Sequence, residues 1–133
     1  MTENKDDISL LDAATAARER AYVPHSQFAV GAGLKLANGD VVTGCNVENI
    51  SFGLTMCAER VAVGSAVAGG NRQFEMLAIV ADSEEPVVPC GACRQVLAEF
   101  NPSLRILSAN LHGATADFRL DELLPLPRQG ILG

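Results

Sequence analysis

The sequence predicts an α/β protein, with helices and strands arranged as a three-layer α/β/α sandwich around a mixed sheet. Stretches with apolar residues at helical spacing alternate with short runs rich in Val, Ile and Leu. The run Met76 to Ala81 is continuously apolar and reads as a strand buried on both faces, which requires helices above and below it. A chain of 133 residues that is 48% hydrophobic has material for one core and not two, so residues 1–133 are expected to form a single domain.

The elements follow in order. Asp6 or Asp7 can cap a helix running to about Arg20, with Ile8, Leu11, Ala14 and Ala17 or Arg18 at inward spacing. Tyr22 to Gln27 contains Pro24 and reads as a loop. Phe28 to Leu36 and Asp40 to Val47 are expected strands, joined at Asn38-Gly39, a strong hairpin signal. Gly31 and Gly33 lie within the first of these strands without a phosphate-loop context, so they are read as close-approach glycines. A second helix runs from Met56 to about Ala68 and stops at Gly69-Gly70. After the Met76–Ala81 strand comes an acidic loop, Ser83 to Pro89, and then a third helix, Gly91 to Phe100, ended by Asn101-Pro102. Leu104 to Ser108 is a short strand, and Leu120 to Leu124 a last helical turn before Pro125 and Pro127.

Composition narrows the function. The formal charge of −6 disfavours a surface built to neutralise phosphates, so no nucleic-acid partner is expected. No apolar run approaches the roughly 18 residues of a membrane helix, so no membrane partner is expected either. The first ten residues are acidic and polar, unlike a signal or transit peptide, and a cytoplasmic location is the expectation.

Chemistry concentrates in two segments, Cys57-Ala58-Glu59-Arg60 and Pro89-Cys90-Gly91-Ala92-Cys93-Arg94-Gln95. Each lies where a loop enters a helix, and unpaired backbone N–H groups at a helix start favour thiolate over thiol. Cys93, Val96, Leu97 and Phe100 form one apolar stripe, which turns Cys93 inward; Cys57, Val61, Gly64 and Ala68 form a similar one. Two helices aiming their first turns at one point can hold a metal between Cys57, Cys90 and Cys93. Three thiolates around Zn²⁺ leave a fourth tetrahedral position open, the mark of a catalytic site. Glu59 then stands near that position as a proton shuttle, and Arg60 and Arg94 are the groups that offset the thiolate charge. Other readings stay open: buried core cysteines, a redox Cys-x-x-Cys pair, or a closed structural site with Cys45 as fourth ligand. His25 and His112 read as surface residues.

These residues resemble the cytidine deaminase family. CAER at 57–60 and PCGACRQ at 89–95 are similar to its two metal segments. Tyr22-x-Pro24-x-Ser26-x-Phe28-x-Val30-Gly31 and Asn46-Val47-Glu48-Asn49 resemble its substrate segments. The resemblance runs from about residue 14 to 125. It implies a sheet of about five strands, one Zn²⁺ per subunit on Cys57, Cys90 and Cys93, and Glu59 passing protons between a zinc-activated water, ring N3 and the departing ammonia. It further implies that the Ala58 backbone reads the base edge and Phe28 packs on the pyrimidine. Asn46 and Glu48 would bind the ribose 3′-hydroxyl, and Arg60 and Gln95 would bond to the ligand sulfurs or brace the site. The implied activity is conversion of cytidine or deoxycytidine to uridine or deoxyuridine plus ammonia, in pyrimidine salvage, by a homotetramer or homodimer. Ala62, Gly64, Ser65 and Ala68 would permit close helix packing between subunits. One departure concerns the tail, where Leu123-Leu124-Pro125 leads to Arg128 at the place the family often gives a base-covering Phe. That leaves another amino-heterocycle, such as blasticidin S, as an alternative substrate, and a structural-zinc binding module as the non-enzymatic alternative.

Overall fold

A computed structural model describes residues 5–128; the ends of the expected 1–133 domain lie outside the described residues. The elements are α1 (Lys5–Arg18), β1 (Val30–Leu36), β2 (Val41–Cys45), α2 (Ala58–Ala68), β3 (Phe74–Ala81), α3 (Gly91–Phe100), β4 (Arg105–Asn110), β5 (Thr115–Arg119) and the short α4 (Leu120–Leu123), with a 3₁₀ turn at Phe52–Leu54. The sheet has five strands in the order β2-β1-β3-β4-β5. It is mixed: β3 and β4 are parallel, and the other neighbours are antiparallel. The three-layer expectation holds, with α1 on one face and α2 and α3 on the other.

Strand alternation explains how one sheet serves two layers. Leu77 and Ile79 of β3 join Ala32, Leu34 and Ile106 beneath α2 and α3. Met76, Ala78 and Val80 point the other way, to Leu10 and Ala14 of α1. β3 therefore has no solvated face, as its unbroken apolar run requires.

Glycines set the distance between layers. A Cβ on Gly31 would stand 1.9 Å from the Ala14 carbonyl oxygen, and one on Gly44 would stand 2.4 Å from the Ala58 carbonyl oxygen. Only hydrogen at these positions lets α1 and α2 lie directly on the sheet. Asn38-Gly39 makes the β1–β2 turn, with Gly39 at φ 94° and the Asn38 side chain accepting from the Asp40 N–H at 2.9 Å.

Two helical phases differ from the sequence pattern. In α1 the inward residues are Asp7, Leu10, Ala14 and Ala17, while Ile8 is 48% exposed. Asp7 is buried because the Arg105 guanidinium meets both its carboxylate oxygens at 2.9 Å, which turns the stripe by one position. In α2 the buried residues are Ala58, Glu59, Ala62, Val63 and Ala66, not Val61, Gly64 and Ala68. Cys57 is the extended residue preceding that helix, so counting helical spacing from it gives the wrong face.

The close approach at Gly31 is testable. Gly31→Ala should lower folding stability by about 3 kcal/mol or more, since backbone must move to admit the methyl group. Gly64→Ala, where an added Cβ meets nothing within 4 Å in the chain itself, should leave the stability of the single folded chain unchanged or slightly raised. Equal urea midpoints for Gly31→Ala and wild type would contradict this packing.

Candidate metal centre and active site

Cys57 and Cys90 are the residues immediately before α2 and α3, both in extended conformation, and Cys93 lies in the first turn of α3. Neither Cys57 nor Cys90 makes the side-chain bond that normally caps a helix, so both sulfurs are free to point elsewhere. They point at one another. The three sulfurs lie within 4.8 Å of one another, and Cys57 and Cys90 are 3.9 Å apart. A tetrahedral zinc with bonds of about 2.3 Å puts its sulfurs about 3.8 Å apart, so the donor set fits zinc in both chemistry and size. Cys45 is not in the cluster; it pairs with Gly31 across the β1–β2 ladder, and the closed four-thiol reading falls with it.

The electrostatics favour one ionised sulfur even before a metal binds. Bonding from the Cys93 thiol, and then from Arg60, outweighs burial and holds the Cys57 thiol down to about 5. Cys93, fully buried and facing that negative sulfur, is pushed far upward. The Arg60 Nη2 donates to the Cys57 sulfur and to the Thr55 carbonyl, each at 3.4 Å, which places a fixed positive charge against the cluster. Arg94, the other arginine expected to offset the thiolates, instead donates to the carbonyls of Pro89 and Leu123. Gln95 likewise turns from the sulfurs and donates to the Pro127 carbonyl at 3.0 Å.

Beside the thiols lies a pocket of about 300 Å³. Phe28, Val30, Val87 and Val88 give it apolar walls, while Asn46, Ala58, Glu59 and two of the cysteines supply its polar groups. Glu59 is 6% exposed, and burial, reinforced by the charge on Cys57, pushes its carboxyl above the usual range. A larger groove of about 370 Å³ at the far end of β1, beside Asn38, Asn71 and Arg72, is lined by neither thiol nor carboxylate.

The loop carrying Phe28 is tied down by the two polar residues expected to meet a sugar. Asn46 accepts from the Val30 N–H at 2.9 Å and donates to the Phe28 carbonyl at 2.8 Å. Glu48 accepts from the backbone of His25 and Ser26 and from the Ser26 hydroxyl, and these bonds lower its pKa. Asn46 lines the pocket; Glu48 does not, and its second oxygen, bonded to the Ser26 hydroxyl, retains lone-pair capacity. Thr55, Val87 and Val88 are pocket residues that the sequence reading missed, although each lies within three positions of a residue it had singled out; Val30, quoted in a substrate segment, lines the pocket as well. Arg128 is exposed and does not line the pocket.

Residues 4–108 match the family described as the cytidine and deoxycytidylate deaminase zinc-binding region. The chain belongs to this family. It is 52% identical over 110 residues to a cytidine deaminase of Sporosarcina psychrophila, covering 82% of this chain and 81% of the relative. It is 49% identical over 117 residues to a cytidine deaminase of Halalkalibacterium halodurans, covering 87% and 89%. A blasticidin-S deaminase of Bacillus cereus is 28% identical, with 92% of each chain covered. The crystal structure of cytidine deaminase from Burkholderia pseudomallei superposes with a TM-score of 0.87 at 46% identity, over 94% of this chain and 98% of that one. The deaminase fold and its three-thiol zinc site are thus both present.

Metal-free protein should carry a Cys57 thiolate at pH 7, visible as ultraviolet absorbance of ionised sulfur, and lose it as pH falls through about 5. Free cysteine ionises near ~8.5, so the folded value is the lower one. The associated stabilisation is complete above ~8.5 and gone once pH drops below the folded value. A spectrum unchanged between pH 7 and pH 4 would contradict the Cys57–Cys93–Arg60 arrangement.

Proposed function

We propose that the chain is a zinc-dependent hydrolase, a single catalytic domain that converts cytidine and deoxycytidine to uridine and deoxyuridine with release of ammonia. The carrying observation is the buried Glu59 carboxyl in the wall of a pocket that also contains ligand thiols. Cys57, Cys90 and Cys93 hold the ion, which when bound supplies the Lewis acidity that makes water a nucleophile near neutral pH.

The remaining work falls to the chain itself. Phe28 packs on the flat pyrimidine, and the five bonds around Asn46 and Glu48 keep it there. The Ala58 backbone, in the first turn of α2 where N–H groups lack helical partners, reads the base edge together with Glu59. Burial keeps a proton on Glu59 that it delivers to ring N3; it takes up one proton of the attacking water and passes it to the exocyclic amine, which departs as ammonia. The water's second proton, lost from the C4 oxygen as the carbonyl forms, returns Glu59 to its acid form. Asn46, and Glu48 through its remaining lone pair, receive the ribose hydroxyl. Arg60 offsets the negative charge of three thiolates around a divalent ion.

A free nucleoside fits this pocket better than a phosphorylated one, because among the described residues no Lys or Arg lines it. Identity of 49–52% to cytidine deaminases against 28% to a blasticidin-S deaminase supports the same choice. The product, another free nucleoside, suits pyrimidine salvage in the cytoplasm, and among the described residues no helix is long and apolar enough to cross a membrane. The reading includes a homotetramer. It is supported by the exposed apolar side chains of Ile50, Phe52 and Leu54, at 84%, 74% and 67%, and by the small outward residues Gly64, Ser65 and Ala68 on α2.

Zinc-loaded protein incubated with cytidine, deoxycytidine, cytosine and blasticidin S should bleach the ultraviolet band of the first two fastest. Glu59→Gln should keep its zinc and lose ~10²–10⁴-fold in turnover, the range of general acid–base catalysis. Full turnover in that variant would remove the mechanism. Sedimentation equilibrium should give four times the 14.0 kDa chain mass, reduced by Phe52→Asp; a monomer at micromolar concentration would end the oligomer reading.

A further inference from the structure

The three ligand cysteines are not equally restrained. Cys93 is fully buried within α3, and the Cys57 sulfur is held by Arg60. Cys90 is exposed and precedes the helix, so the direction of its sulfur depends on how the Pro89–Cys90 peptide is held. Arg94 holds it from both sides. Its backbone N–H donates to the Cys90 carbonyl at 3.0 Å, and its Nε donates to the Pro89 carbonyl at 2.7 Å. Its Nη1 reaches away to the Leu123 carbonyl in α4, at 3.2 Å. A planar guanidinium thus spans two backbone oxygens that belong to the ligand loop and to the terminal helix. A lysine ammonium, lacking the rigid fork, cannot reproduce both bonds at once.

We propose that Arg94 is a positioning residue for the metal centre, fixing the Cys90 ligand through the carbonyl ahead of it and bracing that ligand against α4. This rests on the zinc reading of the thiol cluster. Partners that orient metal ligands commonly govern affinity by 10–100-fold, because a ligand free to swing away releases the ion.

The test measures zinc release from the loaded protein to a chromophoric chelator, alongside thermal midpoints. Arg94→Met, which keeps the apolar stem and removes the donors, should release zinc at least ~10-fold faster than wild type, with Arg94→Lys between them. Arg119→Met, which removes an exposed arginine paired with Asp121, should release at the wild-type rate. A lowered midpoint with unchanged release in Arg94→Met would reduce Arg94 to a packing residue and overturn the proposal. Should Arg94→Met fail to fold, the Lys variant decides: faster release with an unchanged circular-dichroism spectrum supports the role, and wild-type release rejects it. Wild-type protein that binds no zinc would instead remove the metal reading itself.

Discussion

The backbone contact between α2 and β2 fixes where the first ligand sulfur stands, and the rest of the site is arranged around it. Gly44 lets the Ala58 carbonyl and the Ala62 backbone rest on the strand at distances no side chain would admit. α2 therefore begins close above β2, and Cys57, the residue before it, comes within reach of the sulfurs at the start of α3. Because α3 lies between the parallel strands β3 and β4 in the chain, its start is tied to the end of β3 through the Ser83–Pro89 loop. The same placement leaves Glu59 on the buried side of α2, where it lines the pocket with little of its surface open to solvent. One steric allowance in the sheet thus supports both the ligand geometry and the raised pKa of the acid.

The loop opposite the thiols is organised by polar side chains rather than by packing. Tyr22 bridges to Val47 through paired backbone bonds, and Asn46 and Glu48 bond to the backbone between His25 and Val30. Gln27 adopts φ 59°, a left-handed conformation uncommon outside glycine, immediately before Phe28. The Glu48 carboxylate, charged and accepting from two consecutive amides, offsets that local cost. Residues taken from sequence as substrate contacts are therefore also the loop's internal framework. Substituting either one changes the position of Phe28 as well as any contact with sugar.

Much of this was legible in the residues alone. The clustering of Cys57, Cys90 and Cys93 with Glu59 beside them could be read because chemistry fixes these residue types and spacings, and α3 was bounded correctly by its Gly start and Asn-Pro stop. β5 was missed since it is a short edge strand, TADFR, whose alternate residues Ala116 and Phe118 are only half-buried. The turn before it held the available signal: Gly113 at φ 94°, with Asn110 accepting from the N–H groups of His112 and Ala114. The inward phases of α1 and α2 were misread for a different reason. Buried Asp7 and Glu59 are both charged residue types, which a hydrophobic pattern assigns to solvent, and only their partners or their function reveal them. Arg94 was misplaced because adjacency in sequence says nothing about which way a helical side chain turns.

Placing cysteine at the start of both α2 and α3 breaks a local rule of helix construction, and the break has a cost that the metal can offset. Ser, Thr, Asp or Asn there would satisfy an orphan N–H, and their loss costs about 1 kcal/mol per helix. α3 adds Gly91 as its first residue, the poorest ordinary helix former after proline. Both helices start badly by the standards of isolated helix stability, and they do so at the same point in space. Their unsatisfied N–H groups and dipoles favour negative sulfur, which is the protonation state a metal requires. In the absence of an ion the sulfurs cannot all carry charge at this separation, and Cys57 ionises only while Cys93 keeps its proton. Binding a divalent cation removes that conflict and ties the two helix starts together, so the stability withheld from each cap is recovered at the junction. Local instability and metal affinity are, on this geometry, two consequences of one arrangement of residues.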